Sequence, residues 1–307
     1  MTRHLSALAS DIDLPKGINR AWNLPDEGLD ALWQSIKVPT QLKTQLLSQS
    51  VLNFSTRRRV SRSIIPLHGL IMMTGLPGTG KTSLARGLAH RTAKAFPQHN
   101  FRLLEVEPHS LTSSAMGKTQ RAVSELFSQS VAEAAGSGNV IVLLDEVETL
   151  AADRSKMSLE ANPVDIHRAT DAVLVQLDAL ADRHPNLLFV ATSNFPQAVD
   201  TAFTSRCDLV LEIPLPNREA CEDILQDCLN GLGAIFPAIG RLAKSPDLAR
   251  VVSECVGLDG RAIRKMVANA MAANTDIAMN PQLLDMPALL QAAKSAKANR
   301  GMGRPRP

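Results

Sequence analysis

Eight consecutive residues carry the pattern of a polyphosphate-binding loop. The run Gly75-Leu76-Pro77-Gly78-Thr79-Gly80-Lys81-Thr82 matches G-x-x-x-x-G-K-[ST] at every fixed position. Its glycines let the backbone curl so that successive N–H groups face an anion. Lys81 supplies a point charge for the β- and γ-phosphates, and Thr82 supplies a hydroxyl for a magnesium ion. The predicted nucleotide-binding residues are Gly75, Pro77, Gly78, Thr79, Gly80, Lys81, Thr82 and Ser83.

A second candidate site follows an apolar run at residues 140–144, which predicts a central parallel strand. The run ends in Asp145 and Glu146, and an acidic pair at this position is the second signature of nucleotide hydrolysis. Asp145 is predicted to hold magnesium through water, and Glu146 to orient and deprotonate the attacking water. Asn194, at the end of another apolar run, is predicted to hold that water from the opposite side. Each of these features also has a simpler interpretation. The loop could be a glycine-rich turn that only joins a strand to a helix, the acidic pair could end a strand at its solvent edge, and Asn194 could be an ordinary turn residue.

The elements that must position these residues alternate between strands and helices. Residues 70–74 read as a buried strand and residues 83–89 as the helix that follows the loop. Further strands are predicted at 101–106, 140–144, 186–194 and 209–213, with a helical pattern over 121–135 between the second and third strands. After Pro214 and Pro216 the pattern is helical, over 218–229, 248–255, 261–273 and 286–298. The first 60 residues suggest two amphipathic helices, at 28–33 and 41–47, and no strong strand.

This pattern predicts an α/β fold: a P-loop NTPase of the AAA+ type, with a parallel-sheet large domain and a small all-helical lid domain. The predicted boundaries are an N-terminal helical arm over 1–60, the large ATPase domain over 61–213, the lid over 214–298 and a disordered tail over 299–307. The chain has no N-K-x-D motif of the kind that guanine-binding proteins usually carry, so ATP with Mg²⁺ is the predicted cofactor.

Composition excludes several other classes of protein. The 307 residues are 45% hydrophobic, and no apolar run approaches the roughly 18 residues of a membrane span. The N-terminus shows no signal-peptide core, so a cytoplasmic location without membrane contact is predicted. The net charge is only +3, and the four cysteines form no C-x-x-C pair, so neither a zinc site nor a disulfide framework is expected.

One basic cluster leaves a second function open. Arg57, Arg58, Arg59 and Arg62 form the densest group of cations in the chain, directly before the first predicted strand of the ATPase domain. They suit a nucleic-acid contact, a subunit interface or a solvated surface. Only Phe54 offers an aromatic ring nearby for base stacking, and aromatic residues make up 3% of the chain. Nucleic acid is therefore the less favoured partner.

Several segments together resemble one AAA+ family, that of the pachytene-checkpoint and thyroid-receptor-interactor ATPases. They are residues 75–84, the run D-E-V-E-T-L at 145–150, T-S-N at 192–194 and A-F-T-S-R-C-D at 202–208. The run G-L-D-G-R at 257–261 is similar to the family's G-L-S-G-R lid motif, with Asp259 in place of Ser. The likeness extends from about residue 45 to 275.

The resemblance implies roles for two arginines. Arg206 would be an arginine finger that reaches the γ-phosphate held by a neighbouring subunit and stabilises the transition state in trans. Arg261 would be the lid's sensor arginine, with Arg264 as the alternative. A surface salt bridge for Arg206 and a helix-start residue for Arg261 are the competing interpretations. A finger that acts in trans requires a ring, and the family's rings are homo-hexamers.

The resemblance also implies what the ring acts on. Members remodel HORMA-domain proteins, and compact bacterial relatives lie in anti-phage operons, where they disassemble a complex of a HORMA protein with a cyclic-oligonucleotide synthase. By position, Ala115, Met116 and Gly117 would form the first pore loop, without the usual aromatic residue, and residues 155–163 the second. Ordinary surface loops are the alternative interpretation of both segments.

Two other functions compete with the remodeler. A nucleic-acid clamp or helicase loader would use Arg57 to Arg62 to contact DNA. A regulatory scaffold would bind ATP in order to assemble and would scarcely turn over. The complete set of Asp145, Glu146, Asn194 and Arg206 argues against the scaffold.

Overall fold

A computed structural model describes residues 17–106, 118–153 and 163–302, together with Leu14 and Leu111. The strands are β1 (Ile18–Leu24), β2 (Leu70–Thr74), β3 (Phe101–Val106), β4 (Asn139–Leu144), β5 (Leu187–Ser193) and β6 (Leu209–Glu212). The helices up to β6 are α1 (Glu27–Ser35), α2 (Thr40–Thr56), α3 (Lys81–Lys94), α4 (Lys118–Glu125), α5 (Ala132–Ser137), α6 (Pro163–Arg183) and α7 (Thr201–Thr204). The helices after β6 are α8 (Arg218–Gly233), α9 (Pro237–Leu242), α10 (Leu248–Cys255), α11 (Gly260–Met271), α12 (Thr275–Met279) and α13 (Met286–Met302).

The six strands form one sheet in the order β1-β3-β4-β5-β2-β6. Strands β3, β4 and β5 run parallel, with Leu144 paired to Val106 on one side and to Ala191 on the other. Every residue of β2, β4 and β5 is buried, as their continuous apolar sequences predict for central parallel strands. This register brings the carboxyl ends of β4 and β5 level with each other, so the polar residues that follow the two strands lie side by side.

The strand β1 was not predicted from the sequence. It pairs antiparallel with β3 at the edge of the sheet, and only its first and last residues, Ile18 and Leu24, are buried. Because the rest of its side chains are at least partly exposed, the strand carries no apolar alternation. Backbone hydrogen bonds to β3 create this element, and sequence periodicity does not report such bonds. The two helices predicted for this region are present as α1 and α2.

Contacts divide the chain into two compact units. The first contains residues up to 27, 47–73 and 88–210, and its core packs Phe127 against Phe189, with ring centroids 5.7 Å apart. The second contains residues 28–46, 74–87 and 211 onward, and its core consists of side chains from the helices after β6. The phosphate loop belongs to the second unit and the acidic pair to the first. Domain boundaries at residues 60, 213 and 298 stay a prediction.

The predicted helices are present, with three differences, and helices α6 and α7 were not predicted from the sequence. The predicted helix over 121–135 is interrupted between α4 and α5 by a π-helical segment, Leu126–Val131, whose Leu126, Phe127 and Val131 are buried. The short helices α9 and α12 were not predicted, since each is six residues or shorter. Helix α13 continues to Met302, beyond the predicted end at residue 298. Among the described residues, none of the helices is both long enough and apolar enough to cross a membrane.

Candidate functional site

The phosphate loop joins β2 to α3, and its backbone requires glycine at two positions in particular. Gly78 has φ +83° and Gly80 has φ +91°, both in the left-handed region. A Cβ atom at Gly78 would lie 2.2 Å from Oδ1 of Asp259, and one at Gly80 would lie 2.5 Å from Cδ1 of Ile36. The left-handed backbone therefore favours glycine at both positions, and a larger residue would also have to displace the side chain of Asp259 or Ile36.

Lys81 is the first residue of α3, and its side chain folds back over the loop. The ammonium Nζ donates hydrogen bonds to the carbonyl oxygens of Gly75, at 2.7 Å, and Leu76, at 3.1 Å. Only 6% of the residue is exposed, so its charge is largely removed from water. A desolvated cation held beside the loop suits the binding of phosphate oxygens, because electrostatic attraction is stronger away from bulk water.

A cavity of about 210 Å³ lies against this loop within the second unit. Three cationic side chains line it, those of Lys37, Arg261 and Arg264, and none of the described lining residues is acidic. Ile36 and Ile224 add apolar surface. The remaining lining residues are Ser35, Gly78, Thr79, Gly80, Ser83, Pro214, Pro216 and Gly260. A cavity with cations, backbone N–H groups and apolar walls suits a nucleotide, whose phosphates and base differ in polarity.

Sequence reasoning missed Ser35, Ile36, Lys37 and Ile224 as residues of this cavity. Ser35 is the last residue of α1, and Ile36 and Lys37 follow it; all three lie far from the loop in sequence and belong to no motif. Lys37 pairs with Asp227 of α8, with 2.8 Å between Nζ and Oδ2. This salt bridge joins the segment of residues 35–37 to α8. The one signal available beforehand was the end of the predicted helix before Pro39.

The two candidate sensor arginines of α11 have different surroundings. Arg264 donates through Nη2 to the carbonyl oxygen of Ser35, at 2.9 Å, and through Nη1 to Sγ of Cys228, at 3.5 Å. Its guanidinium therefore ties the Ser35 segment to α8. The backbone N–H of Arg261 donates to the carbonyl oxygen of Gly78, at 3.3 Å, so Arg261 adjoins the phosphate loop itself. Both side chains line the cavity, so the choice of Arg261 over Arg264 as the sensor stays a prediction.

The position of Asp259 accounts for its occurrence in place of the Ser of the G-L-S-G-R lid motif. It is the N-cap residue of α11, and its Oδ1 accepts a hydrogen bond from the N–H of Ala262 at 2.8 Å. Ser and Asp are both strong N-cap residues, so the replacement conserves the cap. The cap holds the helix end that carries Arg261 against the phosphate loop.

Replacing Asp259 by Ala should lower the free energy of unfolding by about 1 kcal/mol, because an orphan N–H at the start of α11 loses its acceptor. Replacing it by Ser should change that free energy by only a few tenths of a kcal/mol. Urea denaturation of the two variants and the wild type measures the difference. An equal loss in both variants would show that Asp259 acts through its charge or bulk and not as a cap.

The acidic pair and Asn194 are brought together at the carboxyl ends of β4 and β5. Nδ2 of Asn194 donates to Oε1 of Glu146 at 3.0 Å, so these two predicted residues are in direct contact. The backbone N–H of Asn194 donates to Oε1 of Glu148, at 3.1 Å. Glu148 was not predicted as a site residue; the D-E-V-E-T-L run was its only signal. A carboxylate and an amide that share a hydrogen bond can hold a water molecule between their remaining polar groups.

Thr192 is a second residue that sequence reasoning missed at this site. Its Oγ1 accepts a hydrogen bond from the backbone N–H of Glu146 at 3.1 Å, and its hydroxyl donates to Oδ1 of Asp145. The side chain is buried, since Thr192 is only 1% exposed. The T-S-N run had indicated Asn194 alone, because the amide is the residue type with an evident role at a water.

Arg206 follows α7, and each of its three guanidinium nitrogens donates one hydrogen bond within the chain. Its Nε and Nη2 donate to the two carboxylate oxygens of Asp178 on α6, at 3.0 and 2.8 Å, and Nη1 donates to the carbonyl oxygen of Ala202 at 2.7 Å. The shared hydrogen bonds raise the pKa of Arg206 and lower that of Asp178. The side chain remains one quarter exposed. The salt bridge that had been the competing interpretation is thus present, and it holds the guanidinium at the surface of the first unit.

Most of the basic cluster is used inside the first unit. Arg57 donates to the carbonyl oxygens of Leu187 and, at 3.0 Å, of Ala181; burial lowers its pKa to about 10, so it stays charged at neutral pH. Arg58 donates to Oδ1 of Asn139 at 2.7 Å, and Arg62 pairs with Asp182. Guanidinium groups that bond neighbouring protein groups are less available to phosphates, which weighs against the nucleic-acid alternative.

Two groups of predictions remain to be placed. The four cysteines are free thiols, and burial raises the pKa of each, to about 12 for Cys207 and Cys255. The predicted first pore loop, Ala115 to Gly117, and residues 155–162 of the second lie outside the described residues.

Fold and site together define the class of protein. A phosphate loop after β2, an acidic pair after β4 and a helical C-terminal part are the features of an AAA ATPase, an enzyme that binds and hydrolyses a nucleotide. The family model for "ATPase family associated with various cellular activities (AAA)" matches residues 71–215.

Two relatives identify the branch. CD-NTase-associated protein 6 of Pseudomonas aeruginosa is 64% identical over 295 residues, which are 96% of this chain and 97% of that protein. The pachytene checkpoint protein 2 homolog of Arabidopsis thaliana is 31% identical over 83% of this chain, but the match spans only 62% of that longer protein. The chain belongs to the AAA ATPase family of CD-NTase-associated protein 6 and the pachytene checkpoint protein 2 homologues.

Solved structures agree on the fold. PCH-2 of Caenorhabditis elegans matches 92% of this chain and 75% of its own, with a TM-score of 0.73 and 27% identity. A chain of the Escherichia coli MS115-1 HORMA:CdnC:Trip13 complex matches 94% of this chain and 96% of its own, with a TM-score of 0.70. At 19% identity the second likeness concerns the fold alone.

Proposed function

We propose that this ATPase uses ATP hydrolysis to remodel a HORMA-domain protein and to release a cyclic-oligonucleotide synthase from it. In this role the protein is a negative regulator of an anti-phage signalling system. The observation that carries the proposal is the 64% identity, over nearly all of both chains, to a protein named for its association with a CD-NTase. A chain of the same fold occurs in a complex with HORMA and CdnC proteins.

The proposed cofactors are ATP and Mg²⁺, and the residues present suit both. Lys81 and the loop N–H groups are proposed to bind the phosphates, and Ile36 and Ile224 offer apolar surface for the base. The Thr82 hydroxyl and the Asp145 carboxylate are hard oxygen donors, the ligand type that Mg²⁺ prefers. When bound, the ion would neutralise charge on the phosphates.

The proposed hydrolytic residues are Glu146 as general base, Asn194 as the residue that orients the water with it, and Arg206 as a finger donated to the neighbouring subunit. Arg261 is proposed as the sensor that links nucleotide to lid. The 3.0 Å contact between Asn194 and Glu146 supports the first two roles. A finger in trans requires a ring, which we propose to be a hexamer, with Ala115, Met116 and Gly117 as its first pore loop.

ATP hydrolysis by the purified protein, with and without the HORMA-domain protein encoded beside its gene, tests this function. We expect the HORMA protein to stimulate hydrolysis and ATP to release the synthase from a preformed HORMA–synthase complex. Lys81→Ala is the control, because it removes the phosphate-binding cation and should abolish both effects. A rate of ATP hydrolysis that is unchanged by the HORMA protein but is raised by DNA would favour the clamp or helicase loader instead.

A further inference from the structure

Thr192 joins both predicted acids through a single hydroxyl group. A hydroxyl has one proton to donate and lone pairs that accept. A carboxylate accepts, so the proton of Thr192 goes to Oδ1 of Asp145. A backbone N–H donates, so the lone pair of Oγ1 receives the N–H of Glu146, at 3.1 Å. Both directions follow from the chemistry of the partners, and no other assignment satisfies the two bonds.

Glu146 has a backbone that needs such support. Its φ is +52° and its ψ +53°, the left-handed conformation, and it is the sole residue other than glycine with positive φ among those that the structure describes. A side chain with a Cβ atom is disfavoured there unless surrounding contacts hold it. The backbone N–H of Glu146 donates a hydrogen bond to the buried hydroxyl of Thr192.

The conformation of Glu146 also determines where its carboxylate lies. A left-handed residue directs its side chain differently from an extended continuation of β4, and here Oε1 reaches Nδ2 of Asn194 at 3.0 Å. Thr192 therefore acts on the acid and the amide at once, although it touches neither of their reactive groups. A valine of the same shape could pack here, but only a hydroxyl group can make these two bonds.

We propose that Thr192 is a positioning residue for ATP hydrolysis: its hydroxyl holds Glu146 in the left-handed conformation and orients the Asp145 carboxylate. The proposal rests on the proposed roles of Asp145 and Glu146. It adds to those roles the device that keeps both acids in place.

A kinetic comparison of three variants tests the proposal. Thr192→Val keeps the shape and removes both hydrogen bonds, Thr192→Ser keeps the hydroxyl, and Thr92→Val removes another buried hydroxyl of the same unit, bonded to Ser50 at 2.8 Å. We expect Thr192→Val to lower kcat about 10- to 100-fold, the scale of a small displacement at a reacting group, with KM for ATP little changed. Thr192→Ser and Thr92→Val should keep kcat within about threefold. Unchanged kcat in Thr192→Val, or an equal loss in Thr92→Val, would overturn the proposal.

A second experiment measures the support of the backbone without any nucleotide. Glycine tolerates the left-handed conformation, so Glu146→Gly removes the backbone strain that the Thr192 bond holds in place. In the wild type, loss of the bond lets Glu146 relax and recovers part of the cost, whereas glycine has no strain to release. We therefore expect Thr192→Val to lower Tm more in the Glu146→Gly background than in the wild type, a coupling that a purely packing role does not produce. Equal shifts would overturn the proposal even if Glu146 is the base. Should Thr192→Val not fold, Thr192→Ala replaces it in both experiments.

The two experiments also separate failure of this inference from failure of the proposed function. If Glu146→Gln hydrolyses ATP normally, the role of the base is wrong, yet the Tm coupling still reports on the backbone. If Glu146→Gln is inactive and the coupling is absent, the base stands and the role of Thr192 is wrong.

Discussion

Glu146→Gln is expected to lower kcat by about 10²–10⁴ while ATP still binds. An amide cannot accept a proton from water, but its oxygen can still receive the hydrogen bond from Nδ2 of Asn194 that Glu146 receives at 3.0 Å. The geometry of the pair should therefore survive while the base is lost. Steady-state hydrolysis and equilibrium binding of a fluorescent ATP analogue measure the two properties separately.

Glu148→Gln is the matched control, because it makes the same replacement of a carboxylate by an amide at a neighbouring glutamate. Glu148 accepts the backbone N–H of Asn194 at 3.1 Å, a bond that the amide oxygen of Gln can also accept. We expect this variant to retain most of its kcat. Normal hydrolysis in Glu146→Gln, or an equal loss in the two variants, would contradict the assignment of the base. The inactive variant should also accumulate in complex with its client.

Arg206→Ala is expected to lower kcat by about 10³–10⁵, the range for an arginine finger that stabilises the transferred phosphoryl group. If Arg206 were only the partner of Asp178 in a partly exposed salt bridge, its loss would lower the free energy of unfolding by about 1 kcal/mol or less and would leave hydrolysis largely intact. Asp178→Asn distinguishes the two roles, because it weakens the same bridge and keeps the guanidinium. We expect this variant to retain kcat within about tenfold.

Mixing two inactive variants tests whether the finger acts in trans. A subunit with Arg206→Ala keeps Glu146, and one with Glu146→Gln keeps Arg206. In a mixed ring some interfaces combine an intact base with an intact finger, so hydrolysis should reappear on mixing. If the variants co-assemble and the mixture stays inactive, the finger does not act between subunits and the proposed ring mechanism is wrong.

The features that could be predicted are those whose signal is local in the sequence. The phosphate loop is eight consecutive residues, and each of its three glycines has a positive φ, a backbone conformation that favours glycine. The strands β2, β4 and β5 are continuous apolar runs because they are buried on both faces. Asp145, Glu146 and Asn194 follow such strands directly, so the parallel register of the sheet alone brings them together.

The features that could not be predicted depend on partners far apart in the chain. Arg206 and Asp178 are separated by 28 positions, Thr192 and Glu146 by 46, and Arg264 and Ser35 by 229. An aspartate on a helix or a threonine in a strand has the same local sequence pattern whether it faces solvent, the core or another polar side chain. The edge strand β1 is a similar case, since its backbone bonds to β3 leave no trace in its side chains.

The sequence by itself determined the chemistry available to this protein: a loop that can bind phosphates, an acidic pair that can serve metal and water, and arginines that can stabilise charge. Tertiary structure decided how that chemistry is held. It sets Asn194 against Glu146, bonds Thr192 to both acids, caps α11 with Asp259 and places Lys37 and Ile36 at the cavity beside the phosphate loop. The physical reason is that the chemistry of a side chain belongs to a single position in the sequence, whereas hydrogen bonds and cavities form only when distant segments pack together.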